Sequence, residues 1–243
     1  MSEKNPETIS WWQKGLKWLG HFHYRIERAL FYRDPKKYWT ERGGERYFEE
    51  QEKYQSRTEK SEFVTDEIAR LPVASILEVG CGYGKQLRNL RKKTMAKLTG
   101  VDFSPTQLKK AEELGLGDIL VYEADAQKLP FADQEFDLVF SSAVVLHHPP
   151  PNAARILSEM IRVAKSYVVH NEDTNISSTR YGYDLSRVYE GLGLEIVKCC
   201  KISSAANPER TQFLIVRLPH GSLRSFTADA IRPFLRSCTT VPC

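Results

Sequence analysis

The sequence lacks what would place the chain in a membrane, outside the cell or on a metal. No run of about 18 apolar residues occurs, so no spanning helix is expected. No secretory leader is read at the N-terminus, where Gln13, Lys14 and Lys17 break the first apolar stretch. Cysteine is scarce and odd in number. Of the five, Cys199 and Cys200 are adjacent, Cys81 stands between two glycines, and Cys238 and Cys243 lie near the C-terminus. None has metal-ligand spacing, so no metal is expected, and the pattern reads as reduced thiols in a cytoplasmic setting. A large charge of one sign is also missing. Lysine and arginine number 35 against 31 acids, a net charge of +4, too little to imply a nucleic-acid partner. What is present is ordinary for a soluble globular protein: 243 residues, 41% hydrophobic and 27% charged, enough for one domain with a flank.

Three parts follow from the patterning. Residues 1–70 read as a helical N-terminal extension. Trp12, Leu16, Leu19, Phe22 or His23, Ile26 and Leu30 recur at helical spacing. That stripe is expected to pack on the main domain, with peripheral membrane contact through Trp11, Trp12 and Trp18 as the competing use. A second helical stretch, Tyr38 to Arg70, is broken at Gly43 and Gly44 and ends before Pro72. In residues 71–218, short apolar runs alternate with helical patterns. The runs are Ser75–Val79, Lys97–Val101, Ile119–Tyr122, Phe136–Phe140, Tyr167–His170, Leu194–Cys199 and Gln212–Arg217. They predict an α/β fold: a Rossmann-like, seven-stranded, mainly parallel sheet with helices on both faces. Only Lys201–Thr211, with Asn207-Pro208, separates the last two runs, so they form a hairpin and one strand is antiparallel. Residues 219–243, punctuated by Pro219, Pro233 and Pro242, are expected to be a poorly ordered tail.

The chemistry sits at strand ends. The first strand runs into Glu78-Val79-Gly80-Cys81-Gly82-Tyr83-Gly84, where glycines permit a sharp turn and close approach of a ligand. The dinucleotide pattern Gly-x-Gly-x-x-Gly would require a small residue at 85, where Lys85 stands. Glu78 would repel a pyrophosphate but accept from an ammonium. Asp102, 22 residues after Gly80, is placed to accept from ribose hydroxyls. Asp125 and the Ala126 backbone follow the third strand and are suited to an adenine edge.

These motifs, with Gly100-Val101-Asp102-Phe103-Ser104-Pro105, Leu129-Pro130-Phe131, Phe136-Asp137-Leu138-Val139-Phe140, Leu146-His147-His148 and Glu159-Met160-Ile161-Arg162-Val163, resemble the class I S-adenosylmethionine-dependent methyltransferases. The likeness is greatest to the ubiquinone/menaquinone-type small-molecule group. It implies S-adenosylmethionine as cofactor, with Gly80, Cys81, Gly82 and Gly84 forming the loop under its methionine part and Glu78 near the amino group. Asp102 would hold the ribose, Phe103 lie along the adenine, Asp125 and Ala126 read its edge, and Ser141 offer backbone to the methionine end. One departure stands out. The family's usual Leu-Lys-Pro-Gly-Gly turn before strand five is replaced by Val163-Ala164-Lys165-Ser166.

A sulfonium methyl is already activated, so such an enzyme mainly aligns the acceptor and excludes water, and O-, N- and C-methylation are alike open. His147 and His148 are the candidate catalytic bases, and the alternative reading is a turn cap and a packing residue. Tyr38, Trp39, Arg42, Tyr47, His147, His170 and Glu172 are candidate substrate contacts. Asn171 and Asp173 join them after strand five, where a polyhydroxylated or amine acceptor would fit. Rival readings are an RNA methyltransferase using the basic run Lys85–Lys97, a non-catalytic cofactor-binding scaffold and a dinucleotide oxidoreductase.

Overall fold

The computed structural model describes residues 24–42, 45–53, 55–204, 207–219 and 226–238. Helix α1 is described over residues 24–31, followed by α2 (Pro35–Arg42), α3 (Glu45–Glu52) and α4 (Gln55–Ala69). The central region runs β1 (Ser75–Val79), α5 (Lys85–Arg91), β2 (Lys97–Asp102), α6 (Pro105–Glu113), β3 (Leu120–Glu123) and β4 (Phe136–Ser142). A 3₁₀ turn (Val145–His147), α7 (Pro150–Val163), β5 (Ala164–Asp173), α8 (Leu185–Gly191), β6 (Glu195–Ser204), β7 (Asn207–Arg217) and α9 (Ala228–Cys238) follow.

The seven strands form one sheet in the order β3-β2-β1-β4-β5-β7-β6. All neighbouring pairs are parallel except those made by β7, which lies antiparallel between β5 and β6. The order reverses between β1 and β4, and at such a switch point adjacent loops leave in opposite directions and open a crevice. Side chains alternate between two apolar layers. Leu77, Val79, Val139, Val168 and Leu214 face α7, α8 and α9. Ile76, Leu138, Phe140, Val169 and Phe213 face α4, α5 and α6. Covering both faces explains why β1 and β4 read as continuous apolar runs rather than alternating ones.

Three expectations are corrected. The tail is not featureless, because Ile231 and Leu235, one helical turn apart, are fully buried in the layer beneath α7 and α8. Helix α4 is core rather than extension: Val64 and Ile68 are fully buried, and Phe63 packs edge-on against Phe213 of β7. On α1, Ile26 and Leu30 are 46% and 65% exposed. The face turned inward carries Arg28 and Tyr32 instead, because both find backbone acceptors on the main domain. Trp11, Trp12, Leu16, Trp18, Leu19, Phe22 and His23 lie outside the described residues. At Val163-Ala164-Lys165-Ser166 no turn is inserted. The chain passes from α7 straight into β5, with Ala164 already extended (φ −85°, ψ 137°), and β5 therefore begins three residues before Tyr167.

Candidate functional site

A cavity of about 440 Å³ lies across the carboxyl ends of β1, β2, β4 and β5, roofed by side chains of α2, α3 and α4. Such a volume suits a small-molecule ligand. At its floor, Gly80, Gly82 and Gly84 all take positive φ (72°, 53° and 76°), which turns the chain tightly between β1 and α5. A Cβ on Gly80 would stand 2.4 Å from Val144 Cγ2. Gly80, Cys81 and Gly82 line the cavity, as does Tyr83. Gly84 does not. It caps α5, with Leu116 and Ala111 opposite its missing side chain.

Asp102 braces this loop. Its Oδ2 accepts from the Gly82 N–H at 2.9 Å and its Oδ1 from the Ser104 N–H at 2.8 Å. Burial still raises its pKa. Ser104 then caps α6 ahead of Pro105. Glu78 is 2% exposed, and its Oε2 has no hydrogen-bond partner among the described residues. Burial, then the neighbouring Asp102 charge, push its carboxyl well above the usual range. A buried carboxylate oxygen without a donor is costly unless a ligand supplies one. Phe103, Asp125 and Ala126 complete this end of the wall, with Asp125 Oδ1 accepting from the Gln127 N–H at 2.9 Å.

The opposite wall is built by Ser142, Ala143 and Val144, with Ala143 held at φ 58°. Here two expected substrate contacts, His170 and Glu172, are displaced from the site, together with the side chain of Ser141. Ser141, His170 and Glu172 are buried behind the wall and form one chain of hydrogen bonds. The Tyr189 hydroxyl meets His170 Nε2 at 2.6 Å, His170 Nδ1 meets Ser141 Oγ at 2.9 Å, and Ser141 Oγ donates to Glu172 Oε1 at 2.8 Å. Glu172 also accepts from the N–H groups of Val144, Val145 and Leu146. Desolvation nonetheless raises its pKa to about 7, and lowers that of His170 to about 3. The physical reason is the two-residue period of a strand. Ser142, Asn171 and Asp173 share the face with α4 and line the cavity, whereas Ser141, His170 and Glu172 point to the α8 face.

His147 and His148 both line the cavity. His147 Nδ1 lies 2.7 Å from the Thr179 carbonyl, so it must carry the proton and leave Nε2 with the lone pair. Burial lowers its pKa to about 3 and that of His148 to about 4. Tyr38, Trp39, Arg42 and Tyr47 roof the site, and the Trp39 ring stands 4.6 Å from that of His147. The roof is tied down: Trp39 Nε1 donates to the Tyr32 hydroxyl at 2.8 Å, which donates to the His147 carbonyl at 3.1 Å. Lys60, Gln107, Thr179 and Arg180 also line the cavity, and sequence reading did not single them out. Thr179 and Arg180 belong to a polar stretch after β5. It is held by Arg28, which donates to the Ser177 and Arg180 carbonyls at 2.6 and 2.7 Å.

Comparison with known proteins agrees with this architecture. Residues 76–166 match the methyltransferase domain family. Tocopherol O-methyltransferase of Arabidopsis thaliana is 37% identical over 106 residues, 42% of this chain and 30% of that protein, so the match spans about a third of the relative's length. Magnesium protoporphyrin IX methyltransferase from Synechocystis, solved with bound S-adenosylmethionine, superposes with a TM-score of 0.60 at 15% identity, covering 76% of this chain and 98% of that one. A [4+2]-cyclase shares the fold at a TM-score of 0.55 and 20% identity, covering 66% and 81%. Residues 76–166, with their ordered motifs and sheet order, are thus similar to the methyltransferase domain family, and the fold is shared with the magnesium protoporphyrin IX methyltransferase.

Proposed function

We propose that the protein transfers a methyl group from S-adenosylmethionine to a small-molecule acceptor. The observation that carries this reading is the donorless, buried Oε2 of Glu78 beside a loop of three positive-φ glycines. An α-ammonium group supplies the missing donor, whereas a pyrophosphate would meet a carboxylate. Gly80, Cys81 and Gly82 would hold the methionine part, Asp102 the ribose hydroxyls, and Phe103, Asp125 and Ala126 the adenine. The cofactor supplies an electrophilic methyl. The chain's own residues orient the acceptor and exclude water. The roof of α2–α4 serves exclusion, and His147 serves orientation. With Nδ1–H committed to Thr179 and a depressed pKa, its Nε2 is a hydrogen-bond acceptor that aligns an O–H or N–H rather than a strong base.

The basic run supports a small molecule over RNA. Lys85 pairs with Glu52, Arg91 with Asp118, and Lys93 with Glu62 and Asp66, so much of its charge is already spent locally. Among the described residues no helix is long and apolar enough to cross a membrane. Calorimetric titration with S-adenosylhomocysteine and with NAD tests the cofactor. Binding of NAD alone overturns the reading. Incubation with metabolite extract and methyl-deuterated cofactor, followed by mass spectrometry, tests turnover, and a product carrying the label separates an enzyme from a scaffold.

A further inference from the structure

Resting on that reading, we infer that the acceptor carries an anionic group, a carboxylate or phosphate, held by Lys60 and Arg180 at one corner of the cavity. Both cations line the cavity and share a single carboxylate, that of Asp173. Lys60 reaches across from α4, with its Nζ 3.5 Å from Asp173 Oδ1, and also donates to the Thr211 hydroxyl. Arg180 comes from the opposite side, on the stretch after β5, with Nη1 3.2 Å from Asp173 Oδ2 and 3.3 Å from Asn175 Oδ1.

The inventory decides the sign of the ligand. Both oxygens of Asp173 are engaged, Oδ1 by Lys60 and Thr211 and Oδ2 by Arg180. The carboxylate is therefore already matched and is not available to an amine. The cations are not exhausted. Lys60 has three N–H donors and Arg180 five, and the contacts above use two of each. Two positive charges against one negative leave the corner with an excess of +1. His147, the nearest titratable group of the wall, is neutral by burial and does not offset it. Glu172 lies behind the wall with its oxygens turned to backbone N–H groups. Excess charge in a partly enclosed site attracts an anion more strongly than the same charge in open water, because screening is reduced. The geometry also separates this corner from the cofactor end. Glu78 and Asp102 stand on β1 and β2, whereas Lys60 and Arg180 meet at Asp173 on β5, beyond β4 in the sheet.

The test uses benzoate, inorganic phosphate and the uncharged benzamide as probes, titrated calorimetrically into protein saturated with S-adenosylhomocysteine and into protein without it. Benzoate or phosphate is expected to bind saturably and at least tenfold more tightly than benzamide. Arg180→Gln and Lys60→Gln should each weaken the anion about tenfold, and Arg180→Lys should restore part of the loss. S-adenosylhomocysteine affinity should change less than twofold in Arg180→Gln. Equal binding of benzamide and benzoate overturns the inference, as does anion binding indifferent to both glutamine variants or no saturable binding of either anion. A parallel loss of S-adenosylhomocysteine affinity in Arg180→Gln also overturns it, because the corner would then hold the cofactor's carboxylate. Failure of S-adenosylhomocysteine to bind the unaltered protein strikes the cofactor reading instead, and the ligand-free titration still reads the corner.

Discussion

At the scale of single residues, the site rests on groups whose backbone contacts matter as much as their charge. Asp102 holds Gly82 and Ser104 and faces the cavity, so Asp102→Ala should weaken S-adenosylhomocysteine binding by about 1.5–3 kcal/mol, read by calorimetry, through lost charge-assisted hydrogen bonds and a loosened loop. Gly80→Ala should be harmful for two reasons, its φ of 72° and a Cβ 2.4 Å from Val144 Cγ2. We expect at least tenfold weaker cofactor binding and a lower melting temperature, both partly recovered by Val144→Ala. Identical behaviour with and without Val144→Ala would leave backbone conformation as the sole cause. The carboxylates Glu78, Asp102 and Asp125 were legible because they end strands in motif text. His170 and Glu172 were misassigned as substrate contacts because polar residues at a strand end look alike in sequence. Alternation along β5 separates them, since Asn171 and Asp173 fall on the cavity face and their neighbours do not. Lys60 and Arg180 carry no local signal: one is a helix lysine and the other a loop arginine, joined only by the fold.

At the scale of elements, legibility followed burial. Strands β1, β2 and β4 are buried on both faces and announce themselves as apolar runs. The start of β5 was obscured because α7 enters it without glycine or proline punctuation. Helix α9 was hidden by Pro233, which sits inside it. Its docking makes a test. A Cβ on Gly191 of α8 would fall 2.1 Å from Phe234 Cε1, so Gly191→Ala should destabilise the protein by about 1–3 kcal/mol in denaturant unfolding. In a Phe234→Ala background the same change should cost far less, and an undiminished cost would dismiss the steric explanation. The clamp between α1 and the stretch after β5 gives a second test. Arg28→Ala removes donors to the Ser177, Ser178 and Arg180 carbonyls, and hydrogen exchange should rise at residues 177–181 with β1 and β4 unaffected.

At the scale of the whole molecule, buried histidines set the acid response. His147, His148 and His170 have pKa values lowered by desolvation to about 3, 4 and 3. Their contribution is complete above pH 6.5 and is lost as the pH falls below it, since the unfolded chain takes up the protons. Glu172 acts in the opposite sense. Its folded pKa of about 7 favours the fold at low pH and withdraws that support as the pH rises from about 4.5 to 7. Glu78 and Asp102, whose carboxyls burial also raises, act in the same sense as Glu172, so histidine and carboxylate contributions oppose each other. In Glu172→Gln the melting temperature should therefore fall more steeply between pH 7 and pH 5 than in the unaltered protein. An identical slope in the two proteins would show that Glu172 is hydrated in the native state.

The position of β7 bears on how the chain is made. Because this strand slots between β5 and β6, the sheet cannot close while synthesis is short of residue 217. Until then β5, ten residues long and buried on completion, presents an unpaired edge of backbone N–H and C=O groups. A nascent chain halted near residue 205 would hold every strand of the parallel half together with a sticky border, a form prone to pair with its own copies. Chaperone dependence should therefore concentrate in the last stretch of translation rather than in the assembly of the glycine loop.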